Sequence, residues 1–148
     1  DGRQPNVITN EMALANATAP AASARAYAAM MGQIATGNFI SADVSAVMRR
    51  YLEWPLVEFE SNREQFSAFG SKGGSLAGVL TEASYLVPKT GDFADQVRVV
   101  VLFQGSMPFS AWLTQSQTFA QQQFMVKLAT ERPFVNTVQT KLAAVEEN

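Results

Sequence analysis

At 148 residues the chain is long enough for one domain with its own core, and 47% apolar against 16% charged residues describes a folded chain, not a disordered one. The net charge is −2 and the eleven basic residues are scattered without a run, which argues against a nucleic-acid surface. There is no His and no Cys, so Ser-His-Asp and Cys-His catalysis and a structural zinc are excluded for this chain, and acid–base work falls to Lys, Tyr, Asp or Glu. No metal or other cofactor is expected.

No run of 18 apolar residues occurs, so no transmembrane helix is expected. The start, Asp1-Gly2-Arg3-Gln4-Pro5, reads like the interior of a longer protein or a processed product. Residues 1–20 are rich in turn formers and predict a long loop. Helices follow over 21–56. Thr18 is the expected N-cap of the first, with Pro20 near its first turn. Tyr27, Met31 and Ile34 recur at helical spacing, and Gly37-Asn38 closes the helix. Ser41 caps the second, with Asp43 in its first turn. Val44, Val47, Met48, Tyr51 and Leu52 form its expected apolar stripe, and Trp54-Pro55 ends it. Glu58 to Glu64 reads as a surface loop.

A three-stranded antiparallel meander is predicted over 65–104. Its first strand runs from Gln65 to Ser71 and its second from Val79 to Val87. Pro88 to Asp92 makes a turn. Val97 to Phe103 has the strongest strand character and is expected to be buried on both faces. C-terminal helices occupy 108–146. Phe109, Trp112, Leu113, Phe124 and Leu128 suit one buried face, with Gln121 and Gln122 mostly elsewhere, and Pro133 interrupts the run. Helices and strands are segregated, which predicts an α+β fold in one domain, 1–148. Three strands make a narrow sheet for a domain of this size, so part of the fold is expected to lie elsewhere.

Phe69-Gly70-Ser71-Lys72-Gly73-Gly74-Ser75-Leu76 is the stretch with the most chemistry. Three glycines fall within five positions around one Lys. Two readings of these residues stand side by side. In one, Lys72 holds an anion in an open cleft and nearby backbone N–H groups hold an oxyanion. In the other, the stretch is a β-bulge or hairpin corner with a solvated Lys.

Three segments together resemble the penicillin-recognising serine hydrolases, that is, class A-type β-lactamases, D-alanyl-D-alanine peptidases and related esterases. Asn16 to Ala24 looks like the T-x-P segment after the omega loop, and Ala35 to Ser41 like the helix–turn–helix after it. Ser71-Lys72-Gly73-Gly74-Ser75 looks like the K-[TS]-G strand motif that lines the active site. The resemblance covers roughly residues 10–130. Lys89-Thr90-Gly91 is a literal K-T-G, but it sits in a turn where the family motif sits in a strand.

The resemblance implies the C-terminal part of a β-lactamase-like fold, incomplete at its N-terminus. It implies acyl-Ser transfer on a β-lactam, a D-Ala peptide or an ester, and an extracytoplasmic location. Lys72 would meet the substrate carboxylate and poise proton transfer, and the backbone N–H of Ser75 would be one oxyanion donor. Gly73 stands where the family has Thr or Ser, so a hydroxyl that contacts the substrate is missing. Gly74 would allow close approach of the acyl group. Glu11 is the only Glu ahead of the T-x-P segment, in the place of the class A general base, and nearer to Pro20 than the family spacing. The S-x-x-K nucleophile motif does not occur in this chain, so the nucleophile is expected on a missing N-terminal segment or a companion chain. The second reading is a non-catalytic binding module that keeps the fold. The third is an α+β domain with no family link. Association through the incomplete sheet is also expected.

Overall fold

A computed structural model describes residues 22–146. The predicted loop over 1–20, the N-cap assigned to Thr18 and the first-turn Pro20 lie outside the described residues.

Helix α1 spans Ala24–Thr36 and is capped by Ser23, whose hydroxyl accepts from the Ala26 N–H. It ends at Gly37, which adopts φ 79° and lets its N–H reach the carbonyls of Gln33 and Ile34. Helix α2, Ala42–Leu52, begins as expected on Ser41, whose hydroxyl accepts from Val44 N. Its buried side keeps part of the stripe read from the sequence, since Leu52 is buried and Met48 packs against the core, but the stripe is shifted. Ser45 and Leu52 turn inward, while Val47 and Tyr51 are exposed. Ser45 is accepted into the core because its hydroxyl exchanges hydrogen bonds with the N–H and C=O of Phe39.

Trp54-Pro55 does end α2, but it also opens a new short helix, α3 (Trp54–Glu58), with Pro in the first turn. The expected loop from Glu58 to Glu64 is mostly helix α4, Glu60–Gln65. Side chains hold it against α3: Asn62 donates to Pro55 O, and the Arg63 guanidinium donates to Leu56 O and Val57 O.

The sheet has three strands in the order β1-β2-β3, all antiparallel: β1 Phe66–Leu76, β2 Val79–Pro88 and β3 Arg98–Gln104. The predicted meander is therefore present, and the fold is α+β. The glycine-rich stretch is not a corner. β1 runs straight through it, and Ala77-Gly78 makes the hairpin turn. The irregularity lies earlier, between Phe66 and Ala68. It turns Phe66 to the same side as Phe69, against Leu86 and Ala129.

β3 is an edge strand and differs from its expected double burial. Its residues are half-buried, and Phe103 is exposed. The C-terminal region divides into α5 (Phe109–Thr118), α6 (Ala120–Thr130) and α7 (Arg132–Glu146). The α5–α6 break is Phe119, at φ 53°. Phe109 and Leu113, read as core, are exposed, whereas Gln121 is buried and donates to Leu102 O at 3.4 Å.

Strand alternation sorts the two faces. On one, Ala83 and Tyr85 pack with Met31, Ile34 and Leu52 from α1 and α2. On the other, Phe66, Phe69 and Leu86 pack with Ala129 from α6. The tightest contact lies on the first face, where the Tyr85 ring crosses Gly70, its partner in the ladder. A Cβ on Gly70 would fall 2.2 Å from two ring carbons, and Tyr85 is fully buried. Gly70→Ala should lower unfolding free energy by about 1–3 kcal/mol or more, the range for overpacking a core. A denaturation midpoint equal to that of the unsubstituted chain would refute this packing.

Candidate functional site

β1 is the other edge of the sheet, and its open side is set by one hydrogen bond. The Trp54 indole N–H, presented by α3, donates to Ser71 O at 3.1 Å. That carbonyl therefore points away from β2. In an antiparallel ladder the N–H and C=O of one residue point the same way and alternate along the strand. The β1–β2 register is unbroken from Ala68 to Leu76. Gly73 and Ser75 thus direct their backbone groups to the same open edge as Ser71. The Lys72 ammonium follows this geometry and donates to Gly73 O.

Lys72, Gly73, Gly74 and Ser75 line one open cleft of about 550 Å³ along this edge, with Glu82 and Gln122 opposite. Lys72 is exposed at its rim. Its side chain belongs to the α1–α2 face by alternation, whereas that of Ser75 belongs to the α6 face. The Ser75 hydroxyl accepts from the Trp112 indole at 3.2 Å. A second cavity of about 550 Å³, mostly apolar, lies between the sheet and α1–α2 and is reached past Lys72 and Gly73. Lys89, the Lys of the literal K-T-G, is bound to Arg63 O in the turn after β2. Glu11 lies outside the described residues.

The residue that sequence reading missed is Glu82. It pairs with Gly73 across the ladder and is only 4% exposed. Ser71 and Ser84 donate their hydroxyls to Oε1, and Gln122 Nε2 stands 3.5 Å from Oε2. A Cβ on Gly73 would lie 2.9 Å from Oε2. The glycine at this position is thus matched to the carboxylate facing it. Gly74 is similarly tight, with Thr81 Oγ1 at 2.7 Å from its would-be Cβ. The sequence signal was present: Glu82 is the one charged residue in the run Val79–Val87.

Tyr85 carries a second buried polar contact. Its hydroxyl donates to Glu53 Oε1 at 3.0 Å. Burial first, and then the nearby Glu53 carboxylate, push the phenol well above the ordinary tyrosine range, with Arg49 opposing. Among the described residues, no group of three or more Asp or Glu could hold a metal ion, and no helix is long and apolar enough to cross a membrane.

Comparison with protein-family models, with curated proteins and with solved structures returns no match to this chain. The functional reading therefore rests on the site's own chemistry.

Two measurements test this geometry. Ser71→Ala should cost about 1–3 kcal/mol of stability, because a buried carboxylate oxygen loses a donor; an unchanged denaturation midpoint would count against the network. Tyr85 gives an alkaline signature. The unfolded chain ionises this phenol near pH 10, the ordinary tyrosine value, and the folded chain does not. Above that pH the unfolded state binds fewer protons. The stabilisation is complete below about pH 10 and falls as pH rises, by up to ~1.4 kcal/mol per pH unit. Tyr85→Phe should flatten this loss in unfolding curves taken between about pH 9 and 11.

Proposed function

We propose that this chain supplies the site-lining strand of a β-lactamase-like serine hydrolase that acts by acyl-Ser transfer on a β-lactam, a D-Ala peptide or an ester. The observation that carries the proposal is the open edge of β1, where the backbone groups of Gly73 and Ser75 point into a cleft beside the Lys72 ammonium. Such an edge suits acyl transfer. An N–H fixed by the sheet costs no reorganisation when charge develops on a carbonyl oxygen, and removing one such donor lowers rates by roughly 10²–10³.

In this reading the nucleophilic Ser lies outside this chain, which contains no S-x-x-K. Its oxygen attacks the substrate carbonyl, and the oxyanion of the tetrahedral intermediate is held by the Ser75 N–H. Collapse expels the leaving group with a proton and leaves an acyl ester on the Ser, which water then hydrolyses. Lys72 attracts the substrate carboxylate and favours loss of the nucleophile's proton. Gly74 keeps the strand surface low where the acyl group passes. The fold would be the C-terminal part of the β-lactamase-like architecture, and the location extracytoplasmic.

The test is covalent labelling. The complete protein, incubated with a fluorescent penicillin or a fluorophosphonate, should form an adduct on a Ser, and Lys72→Ala should reduce the labelling rate by at least about tenfold. Absence of an adduct on every Ser would overturn acyl transfer and leave a fold-retaining binding module in its place.

A further inference from the structure

Lys72 borders a part of the molecule that acyl transfer, as described above, does not use: the apolar cavity between the sheet and α1–α2. Cross-strand partners share a face, so the pairs Lys72–Ala83 and Thr81–Phe103 decide its floor. Ala83 packs with Met31 and Leu52, which places Lys72 on that same face. Thr81, two residues from Ala83, and its partner Phe103 follow by alternation. The floor therefore crosses all three strands, from Lys72 on β1 to Phe103 on β3. Glu82 also borders this space, but its side chain leaves by the opposite face toward Gln122. Lys72 is thus the one charged side chain that the described lining directs to this side.

The walls are apolar and adaptable. Met30, Met31 and Met48, three of the chain's six methionines, form the roof. Unbranched thioethers reshape around a guest with little strain. The Tyr27 ring meets the Phe103 ring edge-to-face at 5.6 Å and bounds the far end. Close-packed interiors leave few voids larger than a water molecule, whereas this cavity measures about 550 Å³, within the range of ligand sites. Its length follows from the sheet, since β1 to β3 is about 10 Å at ordinary strand spacing. An extended alkyl chain of about eight carbons, with bonds of ~1.5 Å, covers that distance. At the near end the Lys72 ammonium donates to Gly73 O, and an ammonium has further N–H bonds to give.

We propose that this cavity binds an amphiphilic monocarboxylate, with its carboxylate at Lys72 on the exposed rim and its alkyl chain under the methionines toward Phe103. The head keeps most of its water at the rim, and the buried tail supplies the affinity. The site takes only Lys72 from the reading above and needs no nucleophile.

The experiment is an NMR titration of the full chain, labelled at the methionine methyls, with octanoate. Binding should saturate, and the chain protons of octanoate should give NOEs to the methyls of Met30, Met31 and Met48. Hexanoate, shorter by two methylenes, should bind about tenfold more weakly or worse, since each buried methylene contributes about fourfold. Octylammonium, the same chain with the opposite charge, should bind about fivefold more weakly than octanoate, in the range of an exposed ion pair. Lys72→Met keeps the stem and removes the charge, so it should erase that preference and leave the NOEs in place. Lys72 is exposed, so this variant keeps the native fold. Absent NOEs at these methyls, equal affinity for hexanoate or octylammonium, or a preference that survives Lys72→Met would each overturn the site. NOEs to the three methyls from another segment of the chain, unchanged by octanoate, would assign the cavity to the chain itself and overturn it too. Octanoate binding without a covalent Ser adduct leaves the site standing and removes acyl transfer. An adduct without octanoate binding removes the site alone.

Discussion

The register of β1 against β2 is the constraint on which the rest depends. Two residues of β1 without side chains face the two most demanding residues of β2: Gly70 faces the Tyr85 ring and Gly73 faces the Glu82 carboxylate. A slip of one position would set Ser71 against the ring and turn every side chain of β1 to the other face. The hairpin turn at Ala77-Gly78, with Gly78 at φ 81°, fixes the count from one side. The irregularity at Phe66 and Ala68 absorbs the mismatch at the other, where Phe66 must join a different cluster. The open edge, the position of Lys72 and the burial of Glu82 all follow from this one alignment.

How much of this was legible in the sequence depends on whether the cause was local. Caps and breaks were readable, because Ser41 and Gly37 act on their own turns. The three strands were readable from β-branched runs, and so was the α+β segregation. What a residue faces was less so. Val47 and Tyr51 have helical spacing but lie outside, while Ser45 lies inside because Phe39 offers it both a donor and an acceptor. α4 was hidden because its stabilising partners are carbonyls of α3, supplied through Arg63 and Asn62. β3 was read as buried on both faces because composition reports apolar content and not what covers it.

The candidate site divides in the same way. Lys72, Gly73, Gly74 and Ser75 are adjacent in sequence and could be recognised as a group. Glu82, Trp54 and Trp112 reach that group only through the hairpin, through α3 and through α5. The absence of a hydroxyl at position 73 looked in the sequence like a subtraction from a motif. The structure gives it a local cause, since the space is matched to a carboxylate on the neighbouring strand.

The Trp54 indole on Ser71 O has a consequence for length. An extended molecule lying along β1 finds backbone partners at Gly73 and Ser75 and meets a closed door at Ser71. The free stretch of this edge is therefore short, and the indole marks its end. The same indole takes up one of the backbone acceptors that a strand adding continuously to this edge would need.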